Sequence, residues 1–209
     1  MNAATPERWA RLWRELELKG DGARVCGELH SHYSEPHRHY HTLNHVSDLL
    51  TQFDSVKSLA RQADPVEFAI WFHDVVYDTH GGDNEEKSAA LAKKRILQAD
   101  GTCELARVVA NLILATKAHD SVLHFDAPLL VDLDLSIFGQ SQDLFDQYET
   151  QIRREYDWVP ALIFKPKRAQ ILEQFLGRPR IFSTDHFFAK YEQRARTNLR
   201  RSIRRLRGL

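Results

Sequence analysis

The stretch Phe68-Ala69-Ile70-Trp71-Phe72-His73-Asp74 places a histidine and an aspartate directly behind five apolar residues. The apolar run predicts a buried helix, which we expect to begin at the cap-plus-proline signal Asp64-Pro65 and to end near Tyr77. An unpaired carboxylate is very costly to bury, so the His-Asp pair needs hydrogen-bond partners or a cation. The segment therefore predicts a helical core that carries a metal-binding pair.

Helical periodicity dominates the rest of the chain, and strand-like alternation is scarce. Thr5-Pro6 is a capping residue followed by a proline at the first helical position, and Asp100-Gly101 is a helix break. These patterns predict an all-α fold of about nine helices with short connections. We expect the helices to begin near Pro6, Ala23, Leu43, Asp64, Asp83, Leu105, Ser141, Pro160 and Thr184.

Composition excludes several classes of protein. The 209 residues carry 29 basic and 29 acidic side chains and are 43% hydrophobic, which is typical of a folded globular chain and argues against a nucleic-acid polymer as partner. No apolar signal core or span of ~20 apolar residues is visible, so we expect a cytoplasmic protein that does not associate with a membrane. Cys26 and Cys103 do not form a paired motif, which argues against a disulfide framework.

Two other segments offer side chains that bind metals. His41 and His45 are four residues apart and share a face if both are helical, although a single histidine on such a face is often only structural. Asp132 and Asp134 follow one another closely in Val131-Asp132-Leu133-Asp134-Leu135. Adjacent residues of a helix diverge by ~100°, so His73 and Asp74 can bind one ion only if the helix end adjusts locally. The combination predicts a mixed nitrogen and oxygen site.

The order of these segments resembles the HD-domain superfamily of metal-dependent phosphohydrolases, and in particular a bacterial subgroup of predicted phosphohydrolases. The resemblance implies a single HD-type helical domain over residues 1–209, with a motif core at about 38–140 and C-terminal helices at about 141–207. The matching motifs are Tyr40-His41-Thr42-Leu43-Asn44-His45-Val46, Trp71-Phe72-His73-Asp74-Val75-Val76-Tyr77, Asn84-Glu85-Glu86-Lys87-Ser88-Ala89, Ala115-Thr116-Lys117-Ala118-His119, Asp132-Leu133-Asp134-Leu135 and Arg194-Ala195-Arg196-Thr197-Asn198-Leu199.

The resemblance implies that one divalent cation is bound by four side chains: His45, His73, Asp74 and Asp134. Asp132 is the alternative to Asp134; otherwise it caps a helix that begins near Leu133 or accepts a histidine N–H. Two imidazoles and two carboxylates suit Mn²⁺, Fe²⁺, Co²⁺, Ni²⁺, Zn²⁺ or Mg²⁺.

The implied activity is hydrolysis of a small phosphorylated compound, such as a nucleotide, by a metal-activated water. Candidate catalytic residues are Asp74, Glu85, Glu86 and Lys117, and candidate substrate-binding residues are Arg38, His41, Lys117 and His119. Glu85 and Glu86 also have a structural interpretation, because carboxylates in a first helical turn stabilise the helix dipole. His41 is equally compatible with a surface position.

Two alternatives to this activity remain open at this stage. One is a metal-binding structural or regulatory module without turnover, and the other is a two-metal oxygenase, if His119 or His124 adds a ligand. We also expect that apolar N-terminal helices either close a homodimer or cap the core. A further hypothesis makes Tyr156 and Trp158 the walls of a pocket for a planar base.

The end of the chain is rich in arginine. Leu199, Ile203 and Leu206 recur among these arginines at helical spacing, which favours a solvated amphipathic helix paired with acidic residues over an RNA-binding segment. The arginines are Arg194, Arg196, Arg200, Arg201, Arg204, Arg205 and Arg207.

Overall fold

Helices are the regular elements of this protein throughout residues 3–118 and 124–209, the parts of the chain that the computed structural model describes, and no strand occurs in these two ranges. The all-α prediction is therefore confirmed. The helices are α1 (Pro6–Glu15), α2 (Gly22–Tyr33), α3 (Leu43–Val56), α4 (Ala63–Phe72), α5 (Asn84–Gln98), α6 (Cys103–Ala118), α7 (Ala127–Leu135), α8 (Gln142–Glu155), α9 (Ala161–Leu176) and α10 (Asp185–Arg207), with short 3₁₀ turns at Lys57–Leu59 and Ser136–Gly139.

Side-chain caps account for several of the helix starts. The hydroxyl of Thr5 accepts a hydrogen bond from the backbone N–H of Arg8 at the start of α1. The hydroxyl of Thr184 accepts one from the backbone N–H of Phe187 at the start of α10. Ser141 caps α8 in this way, and Pro160 directly precedes α9. The starts predicted near Pro6, Ser141, Pro160 and Thr184 are confirmed, and a side-chain cap specifies each of them except the one at Pro160.

The predicted start of α4 near Asp64 is confirmed, but the predicted cap and the predicted end were wrong. The helix begins at Ala63, so Asp64 lies inside its first turn and is not the cap. The carboxylate of Asp126, distant in sequence, instead accepts the backbone N–H groups of Arg61 and Gln62, each at 2.9 Å. At the other end the helix stops at Phe72 instead of continuing to Tyr77.

Helix α7 was not predicted as a separate element. It begins at Ala127, where the backbone N–H groups of Leu129 and Leu130 donate to the carbonyl oxygen of Asp126. Asp132 lies inside this helix and is fully buried, so the interpretation of Asp132 as the cap of a helix near Leu133 was wrong. The apolar run before Asp132 conceals the helix, because both faces of α7 are mostly buried and no polar stripe marks a period.

The helices group into two compact units, residues 1–133 and 134–209. The first unit is built around α4, whose residues from Val66 to Phe72 are all buried. The indole of Trp9 on α1 packs against Phe68 and Trp71 with ring centroids 5.3 and 5.5 Å apart. Burial of each such side chain contributes about 1.5–3 kcal/mol. The prediction of a single domain stays a prediction.

A buried carboxylate also fixes α1 on α4. Glu67 is fully buried, and its Oε1 accepts hydrogen bonds from the guanidinium groups of Arg8 and Arg11, both at 2.8 Å. Arg8 in addition holds both carboxylate oxygens of Asp54 on α3. Three helices of the first unit therefore meet at one charge-paired group.

The second unit packs α10 against α9 and the Ser136–Gly139 turn. Leu199 and Ile203 are buried on α10, and Asn198 donates to the carbonyl oxygens of Phe138 and Gln140. The arginines of α10 pair with acidic side chains, as expected: Arg196 with Glu192, Arg201 with Asp146, and Arg207 with Glu173.

The hypothesis of a base pocket concerns Tyr156 and Trp158 in the second unit. The ring of Tyr156 lies 6.2 Å from that of Phe164, and Trp158 is about half exposed, so this stays a hypothesis.

Within the described residues, none of the helices has both the length and the apolar character that crossing a membrane requires.

Candidate metal centre

Four side chains from three segments of the chain converge on one point. One ligand atom each from His45, His73, Asp74 and Asp134 lies within 4.8 Å of all the others. The Nε2 atoms of the two histidines are 3.1 Å apart. An oxygen of the Asp74 carboxylate lies 2.9 Å from Nε2 of His73 and 3.6 Å from Nε2 of His45. These are the four residues that the resemblance assigned to the metal.

The end of α4 orients the His73 ring. His73 follows the last residue of the helix, and its backbone N–H still donates to the carbonyl oxygen of Ala69. Its Nδ1 lies 2.9 Å from the carbonyl oxygen of Ile70. Because a carbonyl only accepts, Nδ1 carries the proton, and in the neutral form of the ring the lone pair is therefore at Nε2. A backbone carbonyl that fixes the tautomer in this way is typical of histidines that bind metals.

The chain leaves α4 in a turn that carries His73 and Asp74. The N–H of Val75 donates to the Phe72 carbonyl oxygen at 3.1 Å. The carbonyl oxygens of Asp74 and Val75 accept hydrogen bonds from the Arg38 guanidinium at 2.7 and 2.9 Å. His73 itself keeps helical dihedral angles (φ −58°, ψ −37°), and its Nε2 still lies 2.9 Å from the Asp74 carboxylate, so the local adjustment expected from the sequence is not made at His73.

His45 lies in the first turn of α3, which Thr42 caps through a hydrogen bond from the N–H of Asn44. Its side chain is only 1% exposed, and the ring of Tyr40 packs on it with centroids 4.7 Å apart. His41 is partly exposed and stacks on Tyr77 with centroids 4.1 Å apart. The sequence indicated no role for Tyr40 or Tyr77, although Tyr40 packs on the predicted ligand His45 and Tyr77 on the candidate substrate-binding residue His41.

Asp134 is the penultimate residue of α7, a helix that begins in the first unit. Residues two apart on a helix point about 200° away from each other, so only one of Asp132 and Asp134 can face the cluster. Asp134 supplies the ligand atom and is partly exposed, whereas Asp132 is fully buried. The preference for Asp134 in the sequence therefore agrees with the geometry.

The donor set fits a divalent cation. Two carboxylates and two imidazoles this close to one another offer oxygen and nitrogen ligands to a single divalent cation. Ligands about 2.1 Å from an ion lie about 3.0–3.4 Å from one another at ordinary coordination angles, close to the 2.9–3.6 Å separations of His45, His73 and Asp74. The histidines are buried while Asp74 and Asp134 are partly exposed, so solvent reaches the cluster from the carboxylate side.

A buried tyrosine of the second unit responds to the charge of Asp134. Burial, with smaller contributions from the carboxylates of Glu149 and Asp134, raises the pKa of Tyr148 to about 12 against the opposing effect of the Arg168 guanidinium. Nη2 of Arg168 donates to the Tyr148 hydroxyl oxygen at 2.8 Å. The Tyr148 hydroxyl therefore keeps its proton at neutral pH.

Three predicted catalytic or substrate residues are outside the four-residue cluster. Lys117 donates to the Glu86 carboxylate and, at 2.8 Å, to the carbonyl oxygen of Gly82. This contact holds the pKa of Glu86 below its usual value and raises that of Lys117. Glu85 is the second residue of α5 and is partly exposed. Asp83 stands at the N-cap position of α5 without a side-chain capping hydrogen bond, and its carboxylate pairs with Lys87 at 2.8 Å.

The remaining candidates have separate outcomes. Arg38 is buried with its guanidinium on backbone carbonyls, so its predicted role in substrate binding stays a prediction. His119 lies outside the described residues. Nδ1 of His124, the other candidate for an additional ligand, accepts the N–H of Asp126 at 3.1 Å, and burial lowers the pKa of His124.

Comparisons with protein-family models, with curated proteins and with solved structures gave no match. What identifies the site is the arrangement of its own residues: a buried pair of imidazoles facing two carboxylates that solvent reaches, an arrangement able to hold a metal ion.

Proposed function

We propose that this protein is an HD-type, metal-dependent hydrolase of a small phosphorylated compound. One observation carries the proposal: His45, His73, Asp74 and Asp134 bring their ligand atoms within 4.8 Å of one another. The sequence order of these residues, a histidine followed by a His-Asp pair and a late aspartate, supports the family resemblance. The mixed donor set favours Mn²⁺, Fe²⁺, Co²⁺, Ni²⁺ or Zn²⁺ over a thiolate-bound metal.

A divalent cation bound at such a site activates a water molecule and polarises a phosphoryl oxygen. The protein contributes a fixed geometry: the Ile70 carbonyl holds the ring of His73, and the buried wall of histidines excludes solvent from one side. Asp74 and Asp134 leave the opposite side accessible. A phosphate ester therefore approaches from the carboxylate side of the cluster.

Lys117 is the proposed phosphate-binding cation, with a condition that the structure imposes. Its ammonium is paired with Glu86, so a phosphate group has to displace or share that carboxylate. The displaced Glu86 is then available to accept a proton, although its lowered pKa makes it a weak base while Lys117 remains bound. The predicted roles of Glu85, Arg38 and His41 in catalysis or substrate binding remain parts of the same proposal.

The test is a panel of phosphate monoesters, mononucleotides and dinucleotides, assayed with Mn²⁺ or Co²⁺. We expect turnover that is lost in Asp74→Ala and retained in Asp143→Ala, which removes an exposed aspartate from the first turn of α8. If the wild type binds metal but hydrolyses no ester, and metal removal unfolds it, the protein is a structural or regulatory metal module and the proposal of an enzyme is wrong.

A further inference from the structure

The guanidinium of Arg38 is the most completely buried cationic group near the cluster. Its side chain is 0% exposed. Nε donates to the carboxylate of Glu35 at 2.9 Å, Nη1 donates to the carbonyl oxygens of His41 and Asp74 at 3.2 and 2.7 Å, and Nη2 donates to that of Val75 at 2.9 Å. Three of its four acceptors are thus backbone oxygens.

Burying a guanidinium against carbonyl groups is unfavourable unless each donor is satisfied with good geometry. Glu35, its carboxylate partner, is 36% exposed and compensates only part of the charge. The other contributions come from the negative end of α4, which a cation stabilises, and from the rings of Tyr33 and Tyr77, whose centroids lie 5.1 and 5.4 Å from Cζ of Arg38. The arginine is therefore built into the fold at this point.

The acceptors of Arg38 belong to both histidine-bearing segments of the cluster. The carbonyl oxygen of His41 lies just before α3, which carries His45 in its first turn. The carbonyl oxygens of Asp74 and Val75 lie in the turn that presents His73 and Asp74. One planar group with donors in a fixed fork joins the two segments, and a lysine ammonium does not reproduce that fork.

We propose that Arg38 is a positioning residue that sets the separation of His45 from the His73-Asp74 pair, and thereby the affinity of the cluster for a divalent cation. Tyr33 supports the last turn of α4, which leads into that turn, because its hydroxyl donates to the carbonyl oxygen of Trp71 at 3.0 Å. The inference rests on the metal-binding part of the proposed function and is independent of any turnover.

The experiment measures Co²⁺ binding by calorimetry and by the visible absorption spectrum of the bound ion, for wild type, Arg38→Lys and Arg38→Gln. We expect affinity to fall by about 10–100-fold in the variants, as for other residues that orient metal ligands, and the spectrum to change. Thermal unfolding of the metal-free proteins identifies the folded variants, and either folded variant decides the question.

Arg8→Lys is the matched control, because Arg8 is also largely buried and also donates several hydrogen bonds, but to Asp54 and Glu67. It is expected to lower the unfolding temperature while leaving Co²⁺ affinity and the spectrum unchanged. If wild type binds Co²⁺ and a folded Arg38 variant binds it equally with the same spectrum, the inference is wrong and the metal site stands. If wild type binds no Co²⁺, the proposed function fails and the inference fails with it.

Discussion

Nε2 of His73 lies 3.1 Å from Nε2 of His45, a separation at which two imidazole nitrogens share either one proton or one cation. The Ile70 carbonyl already occupies Nδ1 of His73, so Nε2 of a neutral His73 has a lone pair to offer. With two carboxylates facing the same point, one cation can bind all four ligand atoms, whereas one proton can be shared by only two of them. The relation between these two rings is therefore the basis of the metal assignment.

Separate substitution of Asp134 and Asp132 shows which of these two aspartates binds the metal and which only stabilises the fold. Asp134→Asn removes a charged ligand, and we expect Co²⁺ affinity to fall by more than about 100-fold, beyond the effect of losing an orienting group. Asp132→Asn changes a fully buried side chain outside the four-residue cluster, so the free energy of unfolding should fall while the absorption spectrum of bound Co²⁺ keeps its shape. Equal spectra and affinities for Asp134→Asn and wild type would remove Asp134 from the ligand set.

Glu67→Gln separates fold stability from metal binding. The variant weakens two charge-assisted hydrogen bonds at a fully buried position, so we expect the free energy of unfolding to fall by about 1–3 kcal/mol. Urea denaturation of the metal-free protein measures this loss. Co²⁺ affinity of the folded variant should not change, because Glu67 is outside the four-residue cluster. If the variant is as stable as wild type, the negative charge of Glu67 does not strengthen its hydrogen bonds with Arg8 and Arg11.

Tyr148→Phe reports on alkaline stability. Tyr148 loses its proton at about pH 12 in the folded protein but at about pH 10 in the unfolded chain. Its stabilising contribution is complete below about pH 10 and is lost as the pH rises through 12, a difference of about 2–3 kcal/mol. The free energy of unfolding of metal-free Tyr148→Phe should therefore fall less steeply than that of wild type over this interval. Parallel curves in denaturant titrations at successive pH values would contradict the assignment.

The sequence predicts the parts of this fold that local chemistry determines. Thr5, Ser141 and Thr184 cap helices where expected, because a side-chain oxygen within three residues decides those starts. The cap of α4 was assigned to Asp64, but the carboxylate of Asp126 holds the two residues just before the helix, and nothing near Asp64 in the sequence indicates a contact so distant along the chain. Helix α7 was missed because an element buried on most sides has no amphipathic period.

The candidate site also has a part that the sequence predicts and a part that only the structure shows. The resemblance of the motif order to a known family selected His45, His73, Asp74 and Asp134, whereas residue chemistry alone left His41 and Asp132 open as ligands. The sequence did not indicate the role of the Ile70 carbonyl, because any residue supplies that group. Arg38 was expected to bind substrate because arginine is a common phosphate ligand, and only the structure places its guanidinium on the backbone carbonyls of His41, Asp74 and Val75.

Anomalous diffraction at the cobalt absorption edge, from crystals of the protein grown with Co²⁺, tests the central claim most directly. We predict one strong peak at bonding distance, about 2.0–2.3 Å, from Nε2 of His45, Nε2 of His73 and a carboxylate oxygen of each of Asp74 and Asp134. A map without a peak between these four side chains, or with cobalt bound only elsewhere on the protein, would contradict the account.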